Sequence, residues 1–311
     1  MIVRFLKVLM MIGATASAQS LLQTFGSGAN AFLIDFVEIG NPGNAADTTG
    51  VPNPAGSVGY VYNIGKYEVS RDMIEKANNV GGLGIDMYNM TSFGGNGSNK
   101  PATGISWYEA ARFVNWLNAS TGNTEAYKFD ISGTILLWSS ADTGYNASNQ
   151  YRNSLAKFYL PSTDEWYKAA YGSPNSIWYN YPTGSDSPPL MVSSGTTANT
   201  AVYGGPLGPA DIDNAGGLSA WGAMGMGGNV WEWMETAYDG INDLGYENRE
   251  IRGGTWLNPS SNLEASEPRS DSPSDNTSFH GGFRVAMVPE PSALSLIVVG
   301  FCGSAILRRR R

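Results

Sequence analysis

Cysteine is almost absent from this 311-residue sequence: the single one, Cys302, lies in an apolar stretch near the C-terminus. The body of the chain therefore builds neither a disulfide nor a thiolate metal site, even in an oxidising compartment. Histidine is as scarce, with His280 alone, which leaves no multi-histidine metal centre. Positive charge is the third shortage. There are 19 Lys and Arg against 27 Asp and Glu, and Arg4, Lys7 and Arg308 to Arg311 crowd the two ends. Without those six, 13 basic residues face 27 acidic ones, a net charge of about −14. That balance repels phosphate backbones and argues against nucleic acid as a partner, while it suits solubility or divalent-cation binding. Long apolar runs are missing too. The stretch from Ala293 to Leu307 falls short of the roughly 20 residues that cross ~30 Å of hydrocarbon.

What the ends do contain is instructive. Arg4 and Lys7 precede the apolar run Val8 to Ala14, and Ala16-Ser17-Ala18 supplies the small-x-small pattern read by signal peptidase. Residues 1–18 are expected to be a signal peptide, with export of the remainder. At the other end Pro289-Glu290-Pro291, the short apolar stretch and four arginines follow in that order. This layout, residues 289–311, resembles the PEP-CTERM sorting signal of Gram-negative bacteria. The resemblance implies an exosortase-type processing enzyme as partner, a transient membrane anchor, and delivery to the cell surface or the extracellular matrix. The arginines suit the cytoplasmic side, where long cationic side chains snorkel.

Between the ends, 39 Gly, 9 Trp and 16 Tyr give a chain able to bury one sizeable core with many turns. Residues 19–31 are expected to form a linker and 32–288 one domain. The alternation from Phe32 to Ile39 predicts a strand. Ser106-Trp107-Tyr108-Glu109 and Ser162-Thr163-Asp164-Glu165 both fit the capping box, and Ser70 fits an N-cap, so three helices are expected after Gly65. Trp107, Ala110, Ala111, Val114 and Leu117 recur at three- and four-residue steps and predict a buried stripe. Gly, Pro, Asn and Ser dominate Thr183 to Gly228, where regular structure should be sparse. Trp107, Trp116, Trp166, Trp231 and Trp233 are expected in the core, and Arg252 and Arg284 to tie loop carbonyls or a carboxylate together.

Five segments carry a family resemblance: Tyr62 to Ser70 (YNIGKYEVS), Lys100 to Asn118, Phe158 to Gly172, Gly227 to Trp233 (GGNVWEW), and Ile251 to Trp256 (IRGGTW) with Gly281 to Ala286 (GGFRVA). Together they resemble the formylglycine-generating (sulfatase-modifying factor) family. The resemblance implies an α+β, C-type-lectin-related fold, loop-rich with short helices and small antiparallel sheets. It also implies an oxidase whose two cysteines bind Cu(I), a soft ion that prefers thiolates. Counted from the motif, those positions hold Asn258 and Leu263, so neither copper binding nor formylglycine formation is expected. A distant branch of the family uses iron bound by several histidines, which this chain lacks.

The remaining candidates are weaker. His280 is a general base or ligand contact, or an ordinary loop histidine. No G-x-S-x-G elbow accompanies it. Met224, Met226 and Met234 suit core packing better than metal ligation. For calcium, the resemblance maps backbone and carboxylate ligands onto Gly228, Val230 and Glu232, while its asparagine ligand falls on Gly225, which has no side chain. Asn199, Asp211 and Asp213 form a second oxygen-rich region, equally readable as solvated loop polar groups. Asn258, Asn262, Arg269, Asp271 and His280 are candidate contacts in or beside the loop after Trp256, for a carbohydrate or protein ligand by analogy with lectin-like folds. Two functional classes follow: a displayed binding or structural module, which is favoured, and an enzyme of the same family with an unrecognised site.

Overall fold

The computed structural model describes residues 21–289 apart from Pro206. The signal-peptide segment and the sorting segment after Pro289 lie outside the described residues. Among those described, no helix is long and apolar enough to cross a membrane.

Two sheets carry the fold. The first has five antiparallel strands in the order β1 (Leu21–Phe25), β2 (Phe32–Ile39), β3 (Tyr62–Gly65), β13 (Ala286–Met287) and β6 (Phe158–Tyr159). The second orders β11 (Arg269–Asp271), β10 (Arg249–Arg252), β9 (Trp231–Ala237) and β12 (Gly281–Gly282), with only β12 parallel to its neighbour. The two-residue pairs β4 (Lys128–Phe129) with β5 (Ile135–Leu136), and β7 (Leu190–Met191) with β8 (Thr200–Ala201), complete the strands. The mixed α+β, loop-rich architecture is the one expected. One boundary is corrected: Leu21–Phe25, expected inside a linker, pairs residue for residue with Phe36 to Phe32 and joins the domain. Phe25 explains why, since its ring is buried against Phe158 at 5.1 Å between centroids.

The three helices begin where their caps require. In α1 (Arg71–Gly81) Ser70 Oγ accepts from Met73 N, and Gly82 closes the helix at φ +60°, a left-handed turn that suits glycine. In α2 (Trp107–Ser120) and α3 (Thr163–Tyr171) both capping boxes are complete. The α2 stripe Trp107, Ala110, Ala111, Val114 and Leu117 is fully buried. Asn118 then pins α2 to β6: its Nδ2 donates to Phe158 O at 2.8 Å and its Oδ1 accepts from Phe158 N at 3.0 Å. An amide side chain here replaces a neighbouring strand.

Tryptophans stitch the layers with their N–H groups as well as their area. Trp107 Nε1 donates to Met234 O at 2.9 Å and Trp233 Nε1 to Ile105 O at 2.7 Å, so α2 and its entry loop bind β9. Trp116 is the exception, only partly buried at the edge of the core. Met224, Met226 and Met234 are buried among apolar residues. Among its described residues, the segment Thr183 to Gly228 holds just the two-residue strands β7 and β8, in line with its composition.

Candidate functional site

The residues flanking β9 meet at a buried charged node. Glu232, on β9, is fully buried, and Arg284 grips it with Nη2 at 2.5 Å from Oε1 and Nε at 2.6 Å from Oε2. Trp166 Nε1 adds a bond of 2.7 Å to Oε2. Arg284 also donates to Gly65 O at 2.8 Å and Met224 O at 3.0 Å. Its guanidinium therefore ties a carboxylate and loop carbonyls together, as expected; burial lowers its pKa, but the Glu232 charge and bonds outweigh that and raise it. Arg252 does the same for Glu250 and Val51 O.

Glu68 stands beside this node without an arginine of its own. It is 1% exposed, its Oε1 accepts from Asn229 Nδ2 at 2.9 Å, and its Oε2 has no partner. Burial, with the Glu232 charge second, pushes its carboxyl up to about 8 against the pull of Arg284. Of the calcium candidates, Gly228 and Val230 flank Asn229, which sits at φ +58°, and Glu232 belongs to the node. Gly225, at φ +72°, faces Glu68: a Cβ there would lie 2.9 Å from the Glu68 carboxyl atoms. In the second oxygen-rich region each side chain has its own protein partner. Asn199 accepts from Thr183 Oγ1, Asp211 pairs with Lys100 at 3.1 Å, and Asp213 accepts from Asn99 Nδ2.

The two positions matched to the family's cysteines are both built into the fold. Asn258 Oδ1 accepts from Thr255 N and Oγ1, each at 2.9 Å, and its carbonyl accepts from Gly204 N. Leu263 is fully buried against Tyr181, Ala201 and Tyr203. Gly254, at φ +76°, lets the chain turn tightly over Leu263, whose Cδ1 would be 3.0 Å from an added Cβ.

Next to this turn opens a cleft of about 300 Å³, lined by Met191, Val202, Tyr203, Leu207 and Trp256 among others. Trp256 is almost fully buried, yet its Nε1 has no hydrogen-bond acceptor. Its ring packs on Phe93 and Phe279, whose own rings lie parallel at 5.0 Å. Phe279 also touches His280, with centroids 4.8 Å apart, so one aromatic wall runs from the cleft to the chain's only histidine.

His280 is half-buried, and its Nδ1 lies 2.9 Å from Ser278 Oγ. Burial holds its imidazole below the ordinary value, partly offset by Asp271 and Asp275. Asp271 is raised by burial and by Asp275; Asp275 is lowered because bonds from Thr277 and Asp271 outweigh its own burial. The loop candidates thus divide. Asp271 and His280 share one neighbourhood, Asn258 and Asn262 lie at the turn after Trp256, and Arg269 is an exposed residue pairing with Glu267 at 3.4 Å. Sequence reasoning missed Trp256, Met191, Tyr203 and Leu207 as cleft residues. Trp256 alone carried a signal, an aromatic two positions after the pair Gly253–Gly254.

A family profile described as the sulfatase-modifying factor enzyme 1-like domain matches residues 36–288. The chain belongs to this family. Solved structures agree at the level of fold. Treponema denticola variable protein 1 aligns with a TM-score of 0.62 and 19% identity over 88% of this chain and 100% of that one. CarF aligns at 0.57 and 19% over 83% and 99%, and PvdO from Pseudomonas aeruginosa at 0.53 and 16% over 86% and 98%. No curated protein matches by sequence. In this chain the Arg284–Glu232 node joins the GGFRVA segment to the earlier GGNVWEW segment.

Proposed function

We propose that the chain is an exported, surface-displayed binding module that keeps the family scaffold without its thiolate oxidase chemistry, and that its ligand enters the cleft beside Trp256. The observation that carries this is the turn 254–263, where Asn258 closes a loop and Leu263 fills core. Neither side chain can become a thiolate, so a soft copper ion has no sulfur to hold it there. The cleft provides what a binding site needs in apolar walls and one aromatic floor. A sugar ring or a short extended peptide matches that chemistry, with an apolar face against Trp256.

Tryptophan fluorescence of residues 19–288, titrated with panels of oligosaccharides and peptides, tests the reading. A ligand from one panel should perturb the emission, and Leu207→Arg, at a well-exposed cleft position, should weaken it at least ~10-fold by obstructing entry. An unaffected Leu207→Arg variant would place the ligand elsewhere.

A second reading rests on His280 and Ser278. Their 2.9 Å contact, flanked by Asp271 and Asp275, gives the chain a nucleophile-and-base pair for an enzyme with an unrecognised site. Activity-based hydroxyl labelling that distinguishes Ser278 from other serines, and that is lost in His280→Gln, would support it. Uniform labelling would remove it.

A further inference from the structure

Another cavity, of about 390 Å³, opens at the opposite end of β9 from the Trp256 cleft. Trp256 N bonds Asn229 O just before that strand, whereas Thr236 and Tyr238, at its end and just beyond, line this cavity. Val51, Pro52, Pro54 and Pro268 give it apolar walls, and Asp164, Asp239 and Glu250 line it with carboxylates. No lysine, arginine or histidine lines it.

The three carboxylates are not equivalent. Glu250 is compensated, because Arg252 bonds one oxygen and Thr163 Oγ1 donates to the other at 2.5 Å. Asp164 accepts one bond, from Gly56 N at 2.7 Å, and Asp239 one, from Ile241 N at 2.9 Å. Among the described residues neither pairs with a lysine or arginine. Two uncompensated charges beside apolar walls repel anions and favour a cation that also buries hydrocarbon. The space is formed in advance. Val51 N donates to Ala265 O, Asp47 and Ala55 exchange backbone bonds at 2.8 and 3.0 Å, and Asn53 Nδ2 donates to Thr48 O at 2.8 Å, which fixes the loop 51–54. Its volume lies within the roughly 300–1,000 Å³ usual for ligand sites.

The connection 238–248, which carries Tyr238 and Asp239, also exposes Ile241, Leu244 and Tyr246. Exposed apolar side chains grouped on a cavity wall suit a protein surface better than a free amine. We propose that this cavity receives the side chain of a lysine presented by a partner protein, with its methylenes against the prolines and Tyr238 and its ammonium among the carboxylates. An ammonium has three donors and no acceptor, which matches a lining whose uncompensated groups are carboxylates, and the Tyr238 ring adds cation–π attraction. The inference goes beyond the Trp256 cleft and does not depend on it.

Calorimetry of the mature chain with the blocked tripeptide acetyl-Gly-Lys-Gly-amide tests it, with norleucine in place of lysine as the probe that keeps the stem and removes the charge. The lysine peptide should bind at least ~10-fold more tightly than the norleucine peptide. Asp164→Asn keeps an acceptor for Gly56 N and should weaken the lysine peptide at least ~10-fold, and Tyr238→Ala should weaken it about 3-fold. Glu125→Gln, which removes an exposed carboxylate elsewhere, should leave it unchanged, and so should Leu207→Arg, which obstructs only the Trp256 cleft. No binding of the lysine peptide at millimolar concentration would overturn the proposal, as would equal binding of the norleucine peptide. Wild-type affinity in Asp164→Asn, or an equal loss in Glu125→Gln, would reduce the effect to general attraction by an acidic chain. Spermidine binding more tightly than the peptide would overturn the assignment to a protein side chain. Should Asp164→Asn not fold, Asp239→Asn on the exposed connection decides: unchanged affinity there removes the carboxylates from the site.

Discussion

Trp166 and Trp256 are both almost fully buried, and both stand one step from the Arg284–Glu232 motif segments, yet their indole nitrogens have opposite fates. Trp166 Nε1 donates to a carboxylate at 2.7 Å inside a node where Glu232 has a partner on both oxygens. Trp256 Nε1 is buried without an acceptor, while the Trp256 side chain lines an open cleft. A polar atom saturated inside a core holds the fold; a buried one without a partner costs stability instead. The same contrast separates Glu232 from Glu68.

The largest expected effect comes from the saturated side. Arg284→Met strands the Glu232 carboxylate in the core and should cost about 3–5 kcal/mol in urea unfolding, a large part of the total stability of a domain. Adding Glu232→Gln should recover part of that loss, because the stranded charge is then gone. Next comes the tryptophan pair. Trp166→Phe loses a bond to a charged group and should cost about 2–3 kcal/mol beyond its lost area, whereas Trp256→Phe should cost roughly 1 kcal/mol in lost volume. Equal losses would erase the distinction between the two nitrogens.

The smallest effect is electrostatic. His280 has a folded-state value below its ordinary one, so the unfolded chain binds its proton more readily. Its contribution is therefore complete above about pH 6.5 and is lost as pH falls through that value. His280→Gln should flatten that part of the stability profile by under ~1 kcal/mol. Asp271, raised in the fold, works in the opposite direction at lower pH, which keeps the two separable.

Local chemistry was legible in the sequence. Ser106–Glu109 and Ser162–Glu165 announce their helices because a capping box is made by residues three apart, and the α2 stripe follows from a 3.6-residue period. Arg252 and Arg284 also behaved as a planar donor beside glycine pairs must. What stayed hidden was set by partners far away. Leu21–Phe25 looks like linker because its strand pairing depends on Phe32 to Phe36 and its burial on Phe158, 133 positions from Phe25. The two-residue strands carry too few residues for a period to show. Glu68 lies in the segment Tyr62 to Ser70, and its close approach to Gly225, 157 positions away, leaves no local trace in the sequence. The cleft is assembled from Met191, Val202 and Leu207 of the segment Thr183 to Gly228 and from Trp256 beyond it, none in a stretch with a period.

On the proposed reading, Asn258 and Leu263 leave the scaffold without thiolate oxidase chemistry. The most direct measurement incubates the mature domain with a Cys-x-Pro-x-Arg peptide, O₂ and Cu(I), and follows the peptide by mass spectrometry. The peptide should keep its cysteine unchanged by this protein over many hours, with or without copper. Enzyme-dependent appearance of the aldehyde product would contradict the account outright.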